Sequence, residues 1–160
     1  MTPDQNSLNL LKYKFKLSRT PEIEYRAQTV SVPGFSIGSA DMPTRLGLRV
    51  PFAGNAQYED FSVTFLVGEN LRDYLEIFNW MTSIAHPNDL SEYPRSEADT
   101  VSDVSVLVLN SSNRGIFDIK FTDAFPISLT SLDFDSTLSD VQYAQATVTF
   151  RYNRYYFKAT

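Results

Sequence analysis

One segment of this chain repeats its apolar side chains at helical spacing, and the segments around it alternate with period two. Leu71, Tyr74, Leu75, Phe78 and Met81 recur at intervals of three and four, which predicts a helix over 70–84 with one stripe on a sheet. The flanking stretches alternate apolar and polar residues, the pattern of half-buried strands. A chain with one helix and many such strands reads as mainly β: packed antiparallel sheets, sandwich- or barrel-like, with one flanking α-helix around 70–84.

The alternation locates the strands. Leu11, Tyr13, Phe15 and Leu17 alternate with Lys12, Lys14 and Lys16, so the first strand has one core face and one cationic face. Lysines also protect an edge strand from wrong pairing. Ile23, Tyr25 and Ala27 continue the pattern, and it then slips onto Val30 and Val32, which predicts a β-bulge near Gln28–Thr29. Pro33-Gly34 ends the strand in a turn. Residues 35–43 read as a loop, Leu46, Leu48 and Val50 as a short strand, and Pro51 to Asn55 as a connection. Tyr58 to Val67 reads as a strand with Phe61, Val63, Phe65 and Val67 on its core face.

Asn70 suits the helix N-cap, with Asp73 three residues on, and Pro87 stops the helix. Residues 86–100 read as a long polar surface loop. Val101–Leu109 and Gly115–Phe121 read as a hairpin around Ser111–Arg114. Ile127, Leu129, Leu132 and Phe134 read as another strand, with a second slip at Thr130–Ser131. Ala144, Ala146, Val148, Phe150 and Tyr152 line one face of a long last strand. The expected organisation is one domain over 1–160 with a polar N-terminal arm, 1–8.

Composition narrows the function. The net charge is −5, which argues against a protein that grips a nucleic-acid backbone. The charge is uneven: Lys12, Lys14, Lys16, Arg19 and Arg26 lie early, while acids dominate from Asp89 to Asp140. Opposite surfaces on one subunit suit head-to-tail association. There is no cysteine, so disulfides and thiolate metal sites are excluded. Met1 to Leu11 lacks the pattern of a secretory leader. No apolar run approaches the ~20 residues that span a bilayer, so no membrane insertion is expected.

Reactive clusters are sparse. His86, the only histidine, reads as a surface residue at a helix end. Asp133-Phe134-Asp135-Ser136-Thr137 matches the D-x-D-x-T pattern of aspartyl phosphotransferases, which need two carboxylates on one face. That motif belongs at the end of the first strand of a parallel α/β sheet, and here one strand's worth of chain follows it. The alternative is a strand with Leu132 and Phe134 inward and both aspartates outward. An EF-hand loop fails because Leu138 and Ala144 stand where Gly and Glu are required. Asn110-Ser111-Ser112 matches a glycosylation acceptor by accident. The expectation is no catalysis, no cofactor and no metal.

Several strings, in order, resemble a known family. They are Val32-Pro33-Gly34; Phe52-Ala53-Gly54 leading to Tyr58-Glu59-Asp60-Phe61-Ser62-Val63-Thr64-Phe65; and Phe78-Asn79-Trp80 followed by Ser83-Ile84-Ala85. Ala124-Phe125-Pro126, Leu132-Asp133-Phe134-Asp135-Ser136 and Ala146-Thr147-Val148-Thr149-Phe150-Arg151-Tyr152 follow. Over roughly Tyr25 to Phe157 the chain resembles the tail tube proteins of contractile-tailed bacteriophages, whose fold secretion-system and injection-particle tube proteins share.

The resemblance implies hexameric rings stacked into a hollow tube in the virion, made in the host bacterial cytoplasm. Neighbouring sheets would join into an inner barrel. DNA and a tape-measure protein would occupy the channel, a tail sheath protein would surround it, and baseplate proteins would start it. The polar arm and the acidic loop 86–100 depart from a compact tube subunit, so a baseplate tube-initiator ring is the alternative. A monomeric ligand-binding β-barrel is a more distant one.

Residues Ser36–Asn55 carry few core residues for their length. They are expected to form an extended loop or hairpin against the adjacent ring, through Ser36, Asp41, Arg45, Arg49 and Asn55. The first and last strands are expected to make contacts within a ring, through Lys12, Lys14, Lys16, Arg151 and Tyr155.

Overall fold

The computed structural model describes residues 7–43, 45, 47–87, 100–137 and 139–159. Most of the expected arm (1–8) and of the loop 86–100 lies outside the described residues, as does Leu46.

The fold is mainly β, as the alternation predicts. Nine strands and two helices run β1 (Tyr13–Leu17), α1 (Pro21–Arg26), β2 (Ala27–Val30), β3 (Phe35–Pro43), β4 (Arg49–Tyr58), β5 (Phe61–Leu66), α2 (Arg72–Ala85), β6 (Ser102–Leu109), β7 (Gly115–Leu129), β8 (Gln145–Arg151) and β9 (Arg154–Ala159) among the described residues. Two antiparallel sheets share β7. Its first part, Phe117–Thr122, pairs with β6 and β9, and β1 adds beyond β6. Its last part, Phe125–Leu129, pairs with β8, followed outward by β5 and β2. Between the two parts Asp123 takes a left-handed φ of 55°. Turning one long strand from sheet to sheet makes a corner of the sandwich.

The core lies between the inner faces. Phe61, Phe65, Phe121 and Phe150 are fully buried with Val63, Val104 and Val148. Phe61 stacks on Phe121 at 4.4 Å and on Phe150 at 5.1 Å, so rings from both sheets meet in one layer. The burial of β5 and β8 alternates strictly, as their sequences require.

Five expectations are corrected. Ile23 and Tyr25 sit on helix α1, not on a strand. Pro21 opens that helix and Arg26 closes it, and the helix aims Ile23 into the core while Tyr25 is 89% exposed. Residues 35–43 and 51–55 are not loops: they belong to the two arms of the β3–β4 hairpin. The helix stripe is turned. Ile77, Trp80 and Asp73 are buried; of the expected stripe Tyr74 and Met81 pack against the core, while Leu75 and Phe78 are about half exposed. The helix N-cap is Leu71, not Asn70; the Asn70 Oδ1 accepts instead from the Arg72 N–H at 3.3 Å. Finally, the segment after Leu129 is not strand, and Phe134 is 81% exposed.

Other expectations hold. The register of β2 on β5 shifts between Ala27 and Thr29, which is the expected bulge. β6 and β7 form the expected hairpin, with Asn110 Oδ1 accepting from the Ser112 and Arg114 N–H groups across its turn. The lysine-bearing β1 is an edge strand.

Candidate assembly surfaces

The β3–β4 hairpin forms a two-stranded sheet of its own, and every residue in both arms is exposed. A lone two-stranded hairpin is marginal in water. This one also carries large apolar side chains. Phe35 and Ile37 share a face near its root with Ala56 and Tyr58. The register then shifts between Ile37 and Ser39 because β4 holds one extra residue. Beyond the shift the apolar set moves to the opposite face, where Ala40 and Met42 pair with Phe52 and Val50. The hairpin therefore offers one apolar face at its root and the other at its tip.

The root is anchored. Tyr58 packs on Phe35 at 5.2 Å and on Tyr155 at 5.7 Å. The Tyr152 hydroxyl donates to the Glu59 carbonyl at 2.8 Å. Burial, followed by the charges and rings around it, pushes the Tyr152 phenol up to about 12. The tip reaches away with no anchor of this kind among the described residues.

The expected stacking residues Ser36, Asp41, Arg49 and Asn55 all lie on this hairpin, and Arg45 lies in its turn region. Asp41 and Arg49 are diagonal neighbours on one face, since Asp41 faces Pro51 and Pro43 faces Arg49. The other expected set divides. Lys14 and Lys16 are exposed on β1. Lys12 donates to the Ser111 carbonyl at 2.7 Å. Arg151 makes a two-pronged pair with Asp60, both contacts at 3.0 Å, which holds its guanidinium above the usual range. Tyr155 is half-buried in the aromatic root cluster. Lys12, Arg151 and Tyr155 thus have partners within the subunit.

Sequence reasoning missed two further features. Helix α2 presents Leu75 and Phe78 outward, beside its exposed N-cap Leu71, because two apolar stripes compete on it and only one can face the core. Helix α1 and helix α2 are tied together by the buried Asp73, whose Oδ2 lies 3.5 Å from Arg26 Nε and accepts from the Gly68 N–H at 3.1 Å.

The Asp133–Thr137 segment is exposed and lies outside the strands. Asp135 Oδ1 accepts from the Thr137 N–H at 2.8 Å and from its hydroxyl at 2.6 Å, a local turn that lowers the Asp135 pKa. Among the described residues no cluster of His, Asp or Glu could hold a metal ion, and no helix is long and apolar enough to cross a membrane.

Comparison with known proteins adds an independent line. The family described as phage tail tube protein matches residues 3–158. No curated protein sequence matches the chain. Among solved structures, the chain is similar to one in the sheath-tube complex of the PVC extracellular contractile injection system in its extended state. That likeness has a TM-score of 0.73 at 18% identity and covers 98% of this chain and 95% of the other. A chain of the anti-feeding prophage tube-terminating cap gives 0.71 at 17% identity, with 100% of both chains covered. Hcp1 from Flavobacterium johnsoniae gives 0.51 at 15% identity, covering 93% and 96%. At these identities the likeness speaks for the fold.

Proposed function

The chain belongs to the phage tail tube protein family, and from that premise we propose that it is a non-catalytic subunit that closes into hexameric rings and stacks them into the hollow tube of a contractile tail. In this reading the tube is the conduit for DNA. A tail sheath protein surrounds it, baseplate proteins start it, and a tape-measure protein occupies it before ejection. The subunit is a component of the virion, made in the host cytoplasm.

The exposed hairpin carries the proposal. Nine residues of β3 and ten of β4 lie outside the core with apolar groups on alternating faces. Such a patch on an isolated subunit is costly and marks an interaction surface. Stacking a second ring onto it would bury both faces at once, the root against one neighbour and the tip against another. A ring closes by head-to-tail contacts of identical subunits, and repetition along the axis needs no further component.

The test is negative-stain electron microscopy of the purified chain and of a variant in which Ser36–Gln57 is replaced by a short Gly-Ser link. Hollow tubes from the first and only single rings or monomers from the second are expected. Tubes from the shortened variant would remove the stacking role. The likeness to a tube-terminating cap keeps a second reading in view, a specialised end ring of the same fold. Copy number per particle separates the two: many rings, or one.

A further inference from the structure

We infer that the outer face of the β2–β5–β8–β7 sheet is the wall along which the DNA slides, and that it serves because it is an uncharged lattice of hydroxyl groups. This rests on the tube reading above and says which of the subunit's two sheet faces the channel uses.

The register places the hydroxyls in rows. Thr29, Thr64 and Thr147 lie side by side across β2, β5 and β8. One row along, Ser31 and Ser62 continue through Thr149 to Ser128 on β7. Their neighbours along each strand, such as Val63, Val148 and Phe65, point into the core, so these side chains all face outward. Many satisfy one another. Thr64 and Thr147 share a hydrogen bond at 2.9 Å, and Ser31 and Ser62 share one at 3.0 Å. Thr130 Oγ1 accepts from the Thr147 N–H at 2.9 Å, closing the edge of the first row. The charges at the margin are Arg151 and Asp60, and they neutralise each other.

The other sheet presents a different face. Its outward positions include Lys14, Lys16, Lys120 and Lys158 with Asp103 and Asp118 among them; Asp118 lies 3.8 Å from Lys120, and the lysines outnumber the acids. Each lysine against a phosphate releases counterions and holds the polymer. A wall of that kind would brake DNA. Short hydroxyl side chains, four of them paired with each other, offer a duplex no fixed charge.

Edge chemistry points the same way. Closing sheets into a barrel requires strands with open edges on both sides. Among the described residues β2 pairs only with β5, and Phe125–Leu129 pairs only with β8, so this sheet can be continued by a copy at each side. The edge of the cationic sheet is partly sealed: the Leu17 N–H donates to the Glu24 carboxylate at 3.0 Å.

Because the chain has no cysteine, a single one is a unique reporter. Thr64→Cys and Thr149→Cys would each be treated, as subunits and as assembled tubes, with a small methanethiosulfonate and with a maleimide carried on a dextran too large for the channel. The expected result is labelling by both reagents before assembly, and loss of dextran labelling with retained small-reagent labelling in tubes. Dextran labelling of tubes would put the face on the outside. Loss of both labels would make it a contact between subunits; either result overturns the inference while leaving the tube intact. Thr64→Lys with Thr149→Lys gives a second reading: tubes should then retain short duplex DNA at low salt and release it at high salt. Tubes of that variant that ignore DNA would also overturn it. A wild-type chain that forms neither rings nor tubes would instead remove the tube reading itself, and this inference with it.

Discussion

Gly54 and Gly38 face each other across the β3–β4 hairpin so closely that a Cβ on Gly54 would lie 2.9 Å from the Gly38 carbonyl oxygen. The contact is with backbone, which cannot swing aside. It falls where the register shifts and the apolar face changes side. The two glycines therefore set the geometry that gives the hairpin its two-sided character.

Gly54→Val is expected to distort the hairpin while leaving the sandwich intact, since neither arm enters the core. Thermal unfolding should be nearly unchanged, and rings seen by electron microscopy should fail to stack. Normal tubes from this variant would show that the bulge has no part in assembly.

Asp73 is 1% exposed and serves two partners, Arg26 and the Gly68 N–H. Asp73→Ala leaves a buried N–H without an acceptor and unties α1 from α2. A loss of about 2 kcal/mol in chemical denaturation is expected. Asp73→Asn keeps an oxygen for Gly68 and should lose less. Equal losses for the two would mean that the Gly68 bond contributes little and that the Arg26 pair carries the loss.

The single tryptophan, Trp80, donates its indole N–H to the Thr100 carbonyl at 2.9 Å and lies 6.1 Å from the Phe150 ring. Trp80→Phe keeps most of the packing and loses the bond, a cost of about 1 kcal/mol. Trp80→Ala adds a cavity and should cost about 3–5 kcal/mol. Urea titration followed by circular dichroism measures both. A larger loss for Phe than for Ala would contradict this placement.

Tyr152 gives the fold an alkaline limit. Its folded pKa is about 12, raised above the unfolded value of about 10. The folded state holds the proton more tightly, so the stabilisation is complete below the unfolded pKa and is lost as pH rises from about 10 to about 12. Tyr152→Phe should be somewhat less stable at pH 7, because its bond to Glu59 is gone. It should also flatten the fall in melting temperature over that alkaline window. An unaltered alkaline profile would place the titration elsewhere.

Much of the architecture was legible in the residues. Strict alternation in Phe61–Leu66 and Gln145–Arg151 dictates which side chains enter the core, because a pleated strand leaves no other choice. The bulge at β2, the β6–β7 hairpin and the exposed stretch 36–55 followed from pattern breaks and turn chemistry. Helix α1 was missed because six residues starting at a proline can satisfy either period; Pro21 and Arg26 were the available signal. Residues 35–43 and 51–55 read as loop and connection in sequence because strands exposed on both faces show no alternation against a core.

The residues by themselves specify packed antiparallel sheets, sandwich- or barrel-like, with a helix near 70–84 and a segment 36–55 with few core residues for its length. Which stripe of that helix turns inward depends on packing against the sheets. Leu71, Leu75 and Phe78 compete on equal periodicity with Ile77 and Trp80, and the second set wins where Trp80 reaches Thr100 and Phe150. The same holds for the hydroxyl face. Each Ser or Thr is unremarkable in its own strand. Rows across β2, β5, β8 and β7 exist only once pairing brings distant positions into register, because hydrogen-bonded neighbours in a sheet are set by registry and not by sequence distance.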